Sequence, residues 1–251
     1  MTIDTILQVI SHYPAWQWLA ASLVITAATC VQYGLGIAFG LIAGPLLALV
    51  SIDFVPAPVL LLTCVTATSS LISERHLVNW RQARTGIGGR IAGAIIAAMV
   101  LGMIPSEKAF MLLFGLTIAG AVLVSVSGIS VPFSLPSIAA AGSVSGFTAT
   151  ITGVGGPPMA IVYQHQKAAT ARPTLQAFFA FGSALSFIIL FLSGHVGVRD
   201  IVITAMLLPA FAAGFLIGPF VRPLFDRNFR NFLLALAAAS AAMLIWRGLF
   251  S

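Results

Sequence analysis

The chain has 251 residues, of which 59% are hydrophobic and only 7% are charged, and its formal net charge is +6. Water-soluble globular domains carry about 25% charged residues, so this composition excludes that class and indicates a polytopic membrane protein in contact with the lipid bilayer. The basic residues stand between apolar blocks, where such residues set the orientation of spans, so no nucleic-acid partner is predicted.

Breaks at charges, prolines and turn residues divide the chain into eight apolar blocks. The first and fifth blocks, 15–50 and 134–163, are too long for a single helical crossing of ~30 Å of hydrocarbon. Each contains a glycine and proline cluster, which predicts a broken helical hairpin. The other six blocks are near the ~20 residues of one crossing and are predicted transmembrane spans: 55–73, 86–104, 109–128, 174–193, 201–221 and 229–248.

The glycine clusters of the two long blocks predict where something binds. In 145–163, SGFTATITGVGGPPMAIVY, Gly153, Gly155 and Gly156 come just before Pro157 and Pro158, and 33–46, YGLGIAFGLIAGPL, has a similar arrangement. Prolines remove backbone donors, and a helix broken at membrane depth survives where it is buried in protein or lines a cavity. A second interpretation of these glycines is close packing between helices.

The order of blocks is the same in the two halves, 15–128 and 134–248, which predicts two repeats. If each broken hairpin starts and ends on one side of the membrane, nine of the 12 Lys and Arg residues fall on the same side. The positive-inside rule makes that side cytoplasmic, with both termini outside and the repeats inverted. The predicted fold is an all-α polytopic membrane protein of two inverted-topology repeats, each a broken hairpin plus three spans. The nine residues are Arg75, Arg81, Arg84, Arg90, Lys167, Arg172, Arg222, Arg227 and Arg230.

Two motifs carry a resemblance to a known family. GIAFGLIAGPLL from Gly36 and GVGGPP from Gly153 open the two halves, and each is followed by a His-x-Val-like segment after the next span. They resemble the TauE/SafE family of sulfite and sulfonate exporters, also called TSUP transporters, over nearly the whole chain. The resemblance implies a carrier in the cell inner membrane for a small sulfur-containing anion (sulfite, thiosulfate or an organosulfonate), without ATP hydrolysis.

Broken helices present free N–H groups and the positive end of a helix dipole, which suits an anion held near the bilayer midplane. We therefore predict that the backbone around the two glycine clusters binds the anion during alternating access and that polar neighbours complete the pocket. For the threonines the alternative is hydrogen bonding to a carbonyl one turn earlier. The predicted substrate-binding residues are Gln32, Tyr33, Gly36, Gly40, Thr148, Thr152, Gly153, Gly155, Gly156, Pro157, Tyr163 and Gln164.

The sequence leaves alternatives open for proton coupling, for the mode of transport and for the oligomeric state. His165, His76 and His195 lie at block ends and are candidates for proton coupling, against the alternative of ordinary interfacial histidines. A passive anion channel built on the same hairpins is the alternative to a carrier. Two Gly-x-x-x-Gly motifs, 89–93 and 214–218, predict either a homodimer face or internal helix packing.

Enzymatic chemistry is not predicted. The sequence has no phosphate-binding loop and no Ser-His-Asp arrangement around a nucleophile elbow. Cys30 and Cys64 lie inside apolar blocks without His or Cys at metal-ligand spacing, so neither a metal nor another cofactor is expected.

Overall fold

The computed structural model describes residues 3–35, 39–221 and 227–250, and every regular element in those ranges is helical. Two predicted binding residues are affected by these limits. Gly36 lies outside the described residues, and Tyr33 is described only in its backbone.

The first half of the chain contains six α-helices and two short 3-10 turns, at Ile52–Phe54 and Arg75–Leu77. Its helices are α1 (Ile3–His12), α2 (Ala15–Leu35), α3 (Phe39–Val50), α4 (Ala57–Glu74), α5 (Trp80–Gly102) and α6 (Glu107–Val126). No element was predicted before residue 15. A length criterion for spans misses α1, because its 10 residues are too few to cross a membrane.

The second half repeats the order of the first without a counterpart of α1. Its helices are α7 (Leu135–Thr152), α8 (Gly156–Tyr163), α9 (Ala168–Leu192), α10 (Val198–Val221) and α11 (Arg227–Phe250).

Six helices in the described part of the chain are long and apolar enough to cross a membrane. Their outer surfaces carry large exposed hydrophobic side chains, among them Met103 and Phe220, which face lipid rather than water in such a protein. The prediction of an all-helical, multi-pass membrane protein is confirmed. The candidate spans are Ile52–Leu77, Trp80–Gly102, Glu107–Val126, Ala168–Leu192, Val198–Val221 and Asn231–Phe250.

Helix packing crosses between the halves. α5 packs along α7 and α10 packs along α2, while α4 pairs with α9 and α6 pairs with α11. The counterparts in the two halves are α2 and α7, α4 and α9, α5 and α10, and α6 and α11. If each helix is replaced by its counterpart, the same four pairs result. The pairing agrees with a repeat, and the inverted orientation of the halves stays a prediction.

Glycines allow the closest of these contacts. A Cβ atom added to Gly89 or Gly93 on α5 would collide with backbone carbonyls of α7, and one added to Gly142 on α7 would collide with the carbonyl of Gly86. On α10, a Cβ at Gly214 would lie 2.6 Å from the Thr26 carbonyl oxygen of α2. These glycines therefore serve packing inside the chain, as small residues do between membrane helices.

Candidate functional site: a cavity at the helix break

The helix break between α7 and α8 is formed by three residues, 153–155. Gly153 has φ 78°, a left-handed conformation that glycine adopts without strain, and it ends α7. The amide of Gly153 donates to the Ala149 carbonyl at 2.7 Å, and that of Val154 donates to Thr152 Oγ1 at 3.1 Å. Among the described residues, no acceptor faces the next two amides, Gly155 and Gly156, and Pro157 has none to offer.

The first turns of α3 contact this break. A Cβ at Gly40 would collide with the Gly153 carbonyl oxygen, and one at Gly44 would lie 2.6 Å from the Thr152 carbonyl oxygen. The amide of Phe39 donates to Gln32 Oε1 at 2.9 Å, which ties the start of α3 to α2. The two predicted Gly/Pro-rich segments therefore meet inside the protein.

A central cavity of about 190 Å³ lies at this meeting point. It reaches helices from both halves of the chain, and its walls combine backbone of the break with polar and apolar side chains. Its lining consists of Gln32, Phe39, Gly40, Leu41, Thr63, Ala67, Arg90, Ser125, Gly153, Gly155, Gly156, Pro157, Ala160, Phe179, Ser183, Leu233 and Leu234.

Arg90 is the charged group of the central cavity. It is the eleventh of the 23 residues of α5, and its side chain is only 1% exposed. Nη2 donates to Ser183 Oγ at 3.2 Å and Nη1 donates to Ser145 Oγ at 3.5 Å, while the Phe178 ring lies 5.2 Å from the guanidinium carbon. Ser145 in turn donates to the carbonyl of Gly155 at 2.6 Å, which connects Arg90 to the helix break.

Two glycines make room for this arginine. A Cβ at Gly182 on α9 would lie 2.5 Å from Arg90 Nε, and one at Gly155 would lie 3.2 Å from Arg90 Nη1. The guanidinium therefore lies directly beside the break, close to the unpaired amides of Gly155 and Gly156.

No carboxylate balances Arg90 within the described residues, where the ion pair found is Asp53 with Arg199. Two buried polar atoms in this region also lack a protein partner: Arg90 Nε and Thr63 Oγ1. An unpaired charge in the middle of a membrane helix is costly, and such residues mark substrate or ion pathways. The geometry suits an anion as the missing partner.

A polar vestibule of about 230 Å³ adjoins the cavity, and Gln32 lines both spaces. It extends along the C-terminal half of α4 and the N-terminal half of α9 to Glu74 and Arg172. Seven of its ten lining residues carry a hydroxyl or an amide group, so it can hold water. The other lining residues are Thr29, Thr66, Ser69, Ser70, Ser73, Gln176 and Phe215.

Hydrocarbon side chains close the opposite end of the cavity. Leu60 lies three residues before Thr63 on α4, and Phe187 lies four residues after Ser183 on α9, so both are one helical turn beyond the cavity wall. Together with the residues they contact, they form an apolar barrier of Ala57, Leu60, Leu101, Ala149, Phe187, Leu190 and Val196. The polar vestibule and the apolar barrier therefore lie toward opposite ends of α4 and α9.

Beyond the barrier lies a second cleft, of about 450 Å³, with charged walls that include Glu107, His195 and Asp200. At its rim Asp53 forms an ion pair with Arg199 and accepts a hydrogen bond from Tyr13 at 3.1 Å. Burial and the Asp53 carboxylate raise the pKa of Tyr13 to about 12, so the phenol stays protonated and donates at neutral pH.

The sequence profile of the family described as sulfite exporter TauE/SafE matches residues 21–244, which is most of the chain. The chain belongs to the TauE/SafE family. Members of this family are transporters, which agrees with the membrane helices and the central cavity. Neither the curated proteins nor the solved structures compared with the chain give a match.

Half of the residues predicted to bind the anion line the cavity of this TauE/SafE protein. The structure brings together Gln32, Gly40, Gly153, Gly155, Gly156 and Pro157. Their role in binding stays a prediction, as does that of Gly36 and Tyr33, whose position or side chain the structure does not describe.

Four other predicted binding residues do not line the cavity. Thr148 and Thr152 are buried in α7, where their hydroxyls donate to carbonyls three and four residues earlier, the alternative considered for them. Tyr163 donates to Gln82 Oε1 at 3.1 Å, and Gln164 donates to the Ile129 carbonyl at 3.1 Å. These two bonds fasten the end of α8 to neighbouring segments.

The three histidines proposed for proton coupling are also remote from the cavity. His76 lines a separate surface cleft beside Tyr163, and His165 lies 3.5 Å from Ser130 Oγ at an exposed site. His195 lines the charged cleft beyond the apolar barrier. Any coupling through these groups would act at a distance from the central cavity of this TauE/SafE protein.

Arg90 is the residue that sequence reasoning misplaced. The predicted third span begins at residue 86, which puts Arg90 near its cytoplasmic end, among the basic residues of that side. In the structure Asn79 caps α5 by accepting from the amide of Gln82, so the helix begins at Trp80 and Arg90 lies at its middle. The signal that could have found it is a single arginine between Gly89 and Gly93, in a segment otherwise free of charge up to Gly102.

Proposed function

We propose that this TauE/SafE protein is a secondary transporter that moves a small sulfur-containing anion across the cytoplasmic membrane by alternating access. The observation that carries the proposal is Arg90, a buried cation without a carboxylate partner in the described structure, beside the free amides of a broken helix. Such a group fits an anion that is bound and released in each cycle.

Each part of the site has a role in this proposal. The guanidinium of Arg90 supplies the opposite charge, and hydrogen bonds between charged groups are the strong ones. The amides of Gly155 and Gly156 lie at the positive end of α8 and replace part of the anion's hydration shell. Glycine at these positions lets the anion come within hydrogen-bond reach of the backbone.

The difference between the two ends of the cavity supports a carrier rather than an open channel. A polar vestibule leads to Arg90 from one side, and the apolar barrier separates Arg90 from the other side. A carrier needs the barrier to change sides during transport. The helix pairing supports such a change. The contact of α5 with α7 has a counterpart in the contact of α10 with α2, so the two halves could exchange their arrangements and move the barrier to the other side.

The distribution of charge supports a cytoplasmic vestibule. Arg75, Arg81 and Arg84 follow α4, and Lys167 and Arg172 begin α9, all at the vestibule end of the protein. Lys108, Arg199 and Arg247 lie at the opposite end. The positive-inside rule then places the vestibule in the cytoplasm and both termini outside.

Counterflow in proteoliposomes tests this function. Purified protein is reconstituted, loaded with unlabelled sulfite or ethanesulfonate, and supplied outside with the labelled anion. A carrier gives saturable uptake that is stimulated by the internal anion, and Arg90→Met abolishes it. Unitary currents in planar bilayers, or flux that never saturates, would establish a channel and contradict the proposal.

A further inference from the structure

We infer that the surface cleft beside Tyr163 binds an anionic phospholipid, with the phosphate head group inside the cleft and the acyl chains along its apolar rim. This inference goes beyond the proposed function and does not depend on it, because the cleft is separate from the central cavity. Its evidence is a set of unused hydrogen-bond donors, a group of unpaired cations and an apolar rim.

The surface cleft has a volume of about 340 Å³ and lies where three candidate spans end or begin. The first of these spans ends at Leu77, the second begins at Trp80 and the third begins at Ala168. Because the apolar length of a span fills the hydrocarbon, its ends lie at the level of the lipid head groups. Trp80 is 39% exposed there, as expected for an interfacial aromatic residue. The cleft is lined by His76, Leu77, Val78, Asn79, Gln82, Phe133, Tyr163, Gln166, Thr170 and Ala171.

The amide side chains of the surface cleft have donors to spare, because their acceptors are already used. Asn79 Oδ1 accepts from the backbone amide of Gln82 at 3.2 Å, and Gln82 Oε1 accepts from the Tyr163 hydroxyl at 3.1 Å. The amino groups of these two side chains, and that of Gln166, donate to no acceptor in the described part of the chain. A ligand that fits them must accept hydrogen bonds, as the oxygens of a phosphate do.

Five exposed cations lie within two residues of the cleft lining: Arg75, Arg81, Arg84, Lys167 and Arg172. None of them forms an ion pair within the described ranges, and of residues 74–84 and 163–172 only Glu74 is acidic. The positive-inside rule accounts for the number of these cations but requires no donor-lined cleft between them. Basic pockets between membrane helices are typical sites for anionic lipid head groups.

The apolar rim favours a lipid over a soluble phosphate. Leu77 is 52% exposed and Phe133 is 39% exposed, although both line a largely polar cleft. The Phe133 ring packs edge-on against the Tyr163 ring, with 5.2 Å between the centroids, so the rim is attached to the donor-lined part of the cleft. A phospholipid fits both parts, since its phosphate can meet the donors while its acyl chains cover Leu77 and Phe133.

Lipid titrations of the purified full-length protein test this site, with the apparent Kd taken from the rise in unfolding temperature. The probes are dioctanoyl phosphatidylglycerol, dioctanoyl phosphatidylcholine and glycerol 3-phosphate. Phosphatidylglycerol should bind about tenfold more tightly than phosphatidylcholine, which has the same tails but no net charge. It should also bind more tightly than glycerol 3-phosphate, which has the phosphate but no tails.

Matched variants distinguish this cleft from a general attraction to positive charge. Gln166→Leu keeps the net charge but removes a donor, and should weaken phosphatidylglycerol binding about tenfold, as expected for a hydrogen bond to a charged group. Lys167→Gln should weaken it about fivefold, the factor that corresponds to ~1 kcal/mol per basic residue. Lys108→Gln removes the same charge at an exposed position on the opposite end and should leave the affinity unchanged.

Equal affinity for the two lipids, or equal losses in Lys167→Gln and Lys108→Gln, would overturn this inference. Binding of glycerol 3-phosphate as tight as that of phosphatidylglycerol would assign the cleft to a soluble phosphate and overturn the lipid. These results would leave the proposed function intact, because counterflow through the central cavity is measured separately.

Discussion

At the scale of single residues, Arg90 is a buried charge that the described part of the fold does not pair with a carboxylate. Its side chain is buried and makes two hydrogen bonds to serine hydroxyls, but the described structure offers it no counter-charge. Replacing a buried charge by an apolar side chain of similar volume is often neutral or stabilising. Arg90 therefore differs from an ordinary core residue, whose removal weakens the fold.

Arg90→Met is expected to abolish anion binding without lowering thermal stability. Methionine keeps an unbranched apolar stem but lacks the guanidinium with its charge and its N–H donors, so no buried charge is left unpaired and the unfolding temperature without ligand should be unchanged or higher. The stabilisation by saturating anion should disappear, a loss of ~2.7 kcal/mol if the anion is present at 100 times its Kd. Arg84→Gln, at an exposed site on the same helix, is the control and should keep that stabilisation.

Gly182 offers a second route to the same site. Gly182→Ala places a methyl group against the stem of Arg90 and should displace the guanidinium, reducing transport while leaving the charge in place. In an Arg90→Ala background the added methyl group has space, so the destabilisation by Gly182→Ala should shrink by ~1 kcal/mol or more in a double-mutant cycle. Equal destabilisation in both backgrounds, measured by thermal unfolding, would contradict this contact.

A residue of the site could be predicted from the sequence where its role is set by local sequence, and not where its role is set by contacts in the folded protein. Gly153, Gly155 and Pro157 could be identified because a glycine and proline cluster inside an apolar block breaks a helix in any context. The roles of Thr148 and Tyr163 could not, because a hydroxyl bonds to whichever acceptor its helix face happens to meet. Arg90 was missed since its depth depends on where α5 begins, and charged residues were used to mark block ends.

At the scale of helices, the contact of α5 with α7 depends on glycines that face backbone. Gly89 and Gly93 have carbonyl groups of α7 where a Cβ would be, so the helices can approach only without side chains there. Gly88, one residue earlier on α5, has open space around its Cβ position.

Gly93→Ala should therefore destabilise the protein by ~1–3 kcal/mol, the usual effect of overpacking a tight contact. Gly88→Ala should be neutral or stabilising by up to ~1 kcal/mol, because alanine is the better helix former. Unfolding temperatures of the two variants in one detergent make the comparison. If both variants lowered the unfolding temperature by a similar amount, the loss would not be due to the contact with α7, and this prediction would be wrong.

The positions of the helices were easier to predict than their packing. The six ordinary spans follow from hydrophobic length alone, and each predicted block overlaps one observed helix. The two Gly-x-x-x-Gly motifs left packing within the chain and packing between chains equally open, because the sequence does not show which surface a glycine faces.

At the scale of the whole molecule, the barrier end is fastened by an ion pair between the halves. Asp53 precedes α4, Arg199 begins α10, and Tyr13 precedes α2 and packs against both, with the Arg199 guanidinium carbon 5.6 Å from its ring. Opening toward that side would separate these segments.

Breaking this ion pair should shift the protein toward the state that is open on the Asp53 side. Asp53→Asn is expected to increase the labelling of a cysteine introduced at Leu60, a buried member of the apolar barrier that does not line the cleft on the Asp53 side. Asp53→Arg combined with Arg199→Asp should restore protection, since the reversed pair attracts equally. An exposed ion pair contributes ~1 kcal/mol or less, so the expected shift in population is at most about fivefold.

Membrane orientation is testable with the same labelling chemistry. Arg84→Cys and Lys108→Cys place thiols at exposed positions on opposite ends of the protein, in a background without Cys30 and Cys64. An impermeant maleimide added to intact cells should label position 108, and position 84 should react only after the membrane is opened. The reverse result would place the vestibule outside.

The arginine at the middle of α5 also affects the order in which the protein is made. A charged residue at the centre of a membrane helix costs ~2.5–3.5 kcal/mol on insertion, and the surroundings that accept Arg90 come from α7 and α9, which the ribosome produces later. A nascent chain arrested after α6 should therefore hold α5 in the bilayer less firmly than the finished protein does. The first half depends on the second half for a settled position in the lipid.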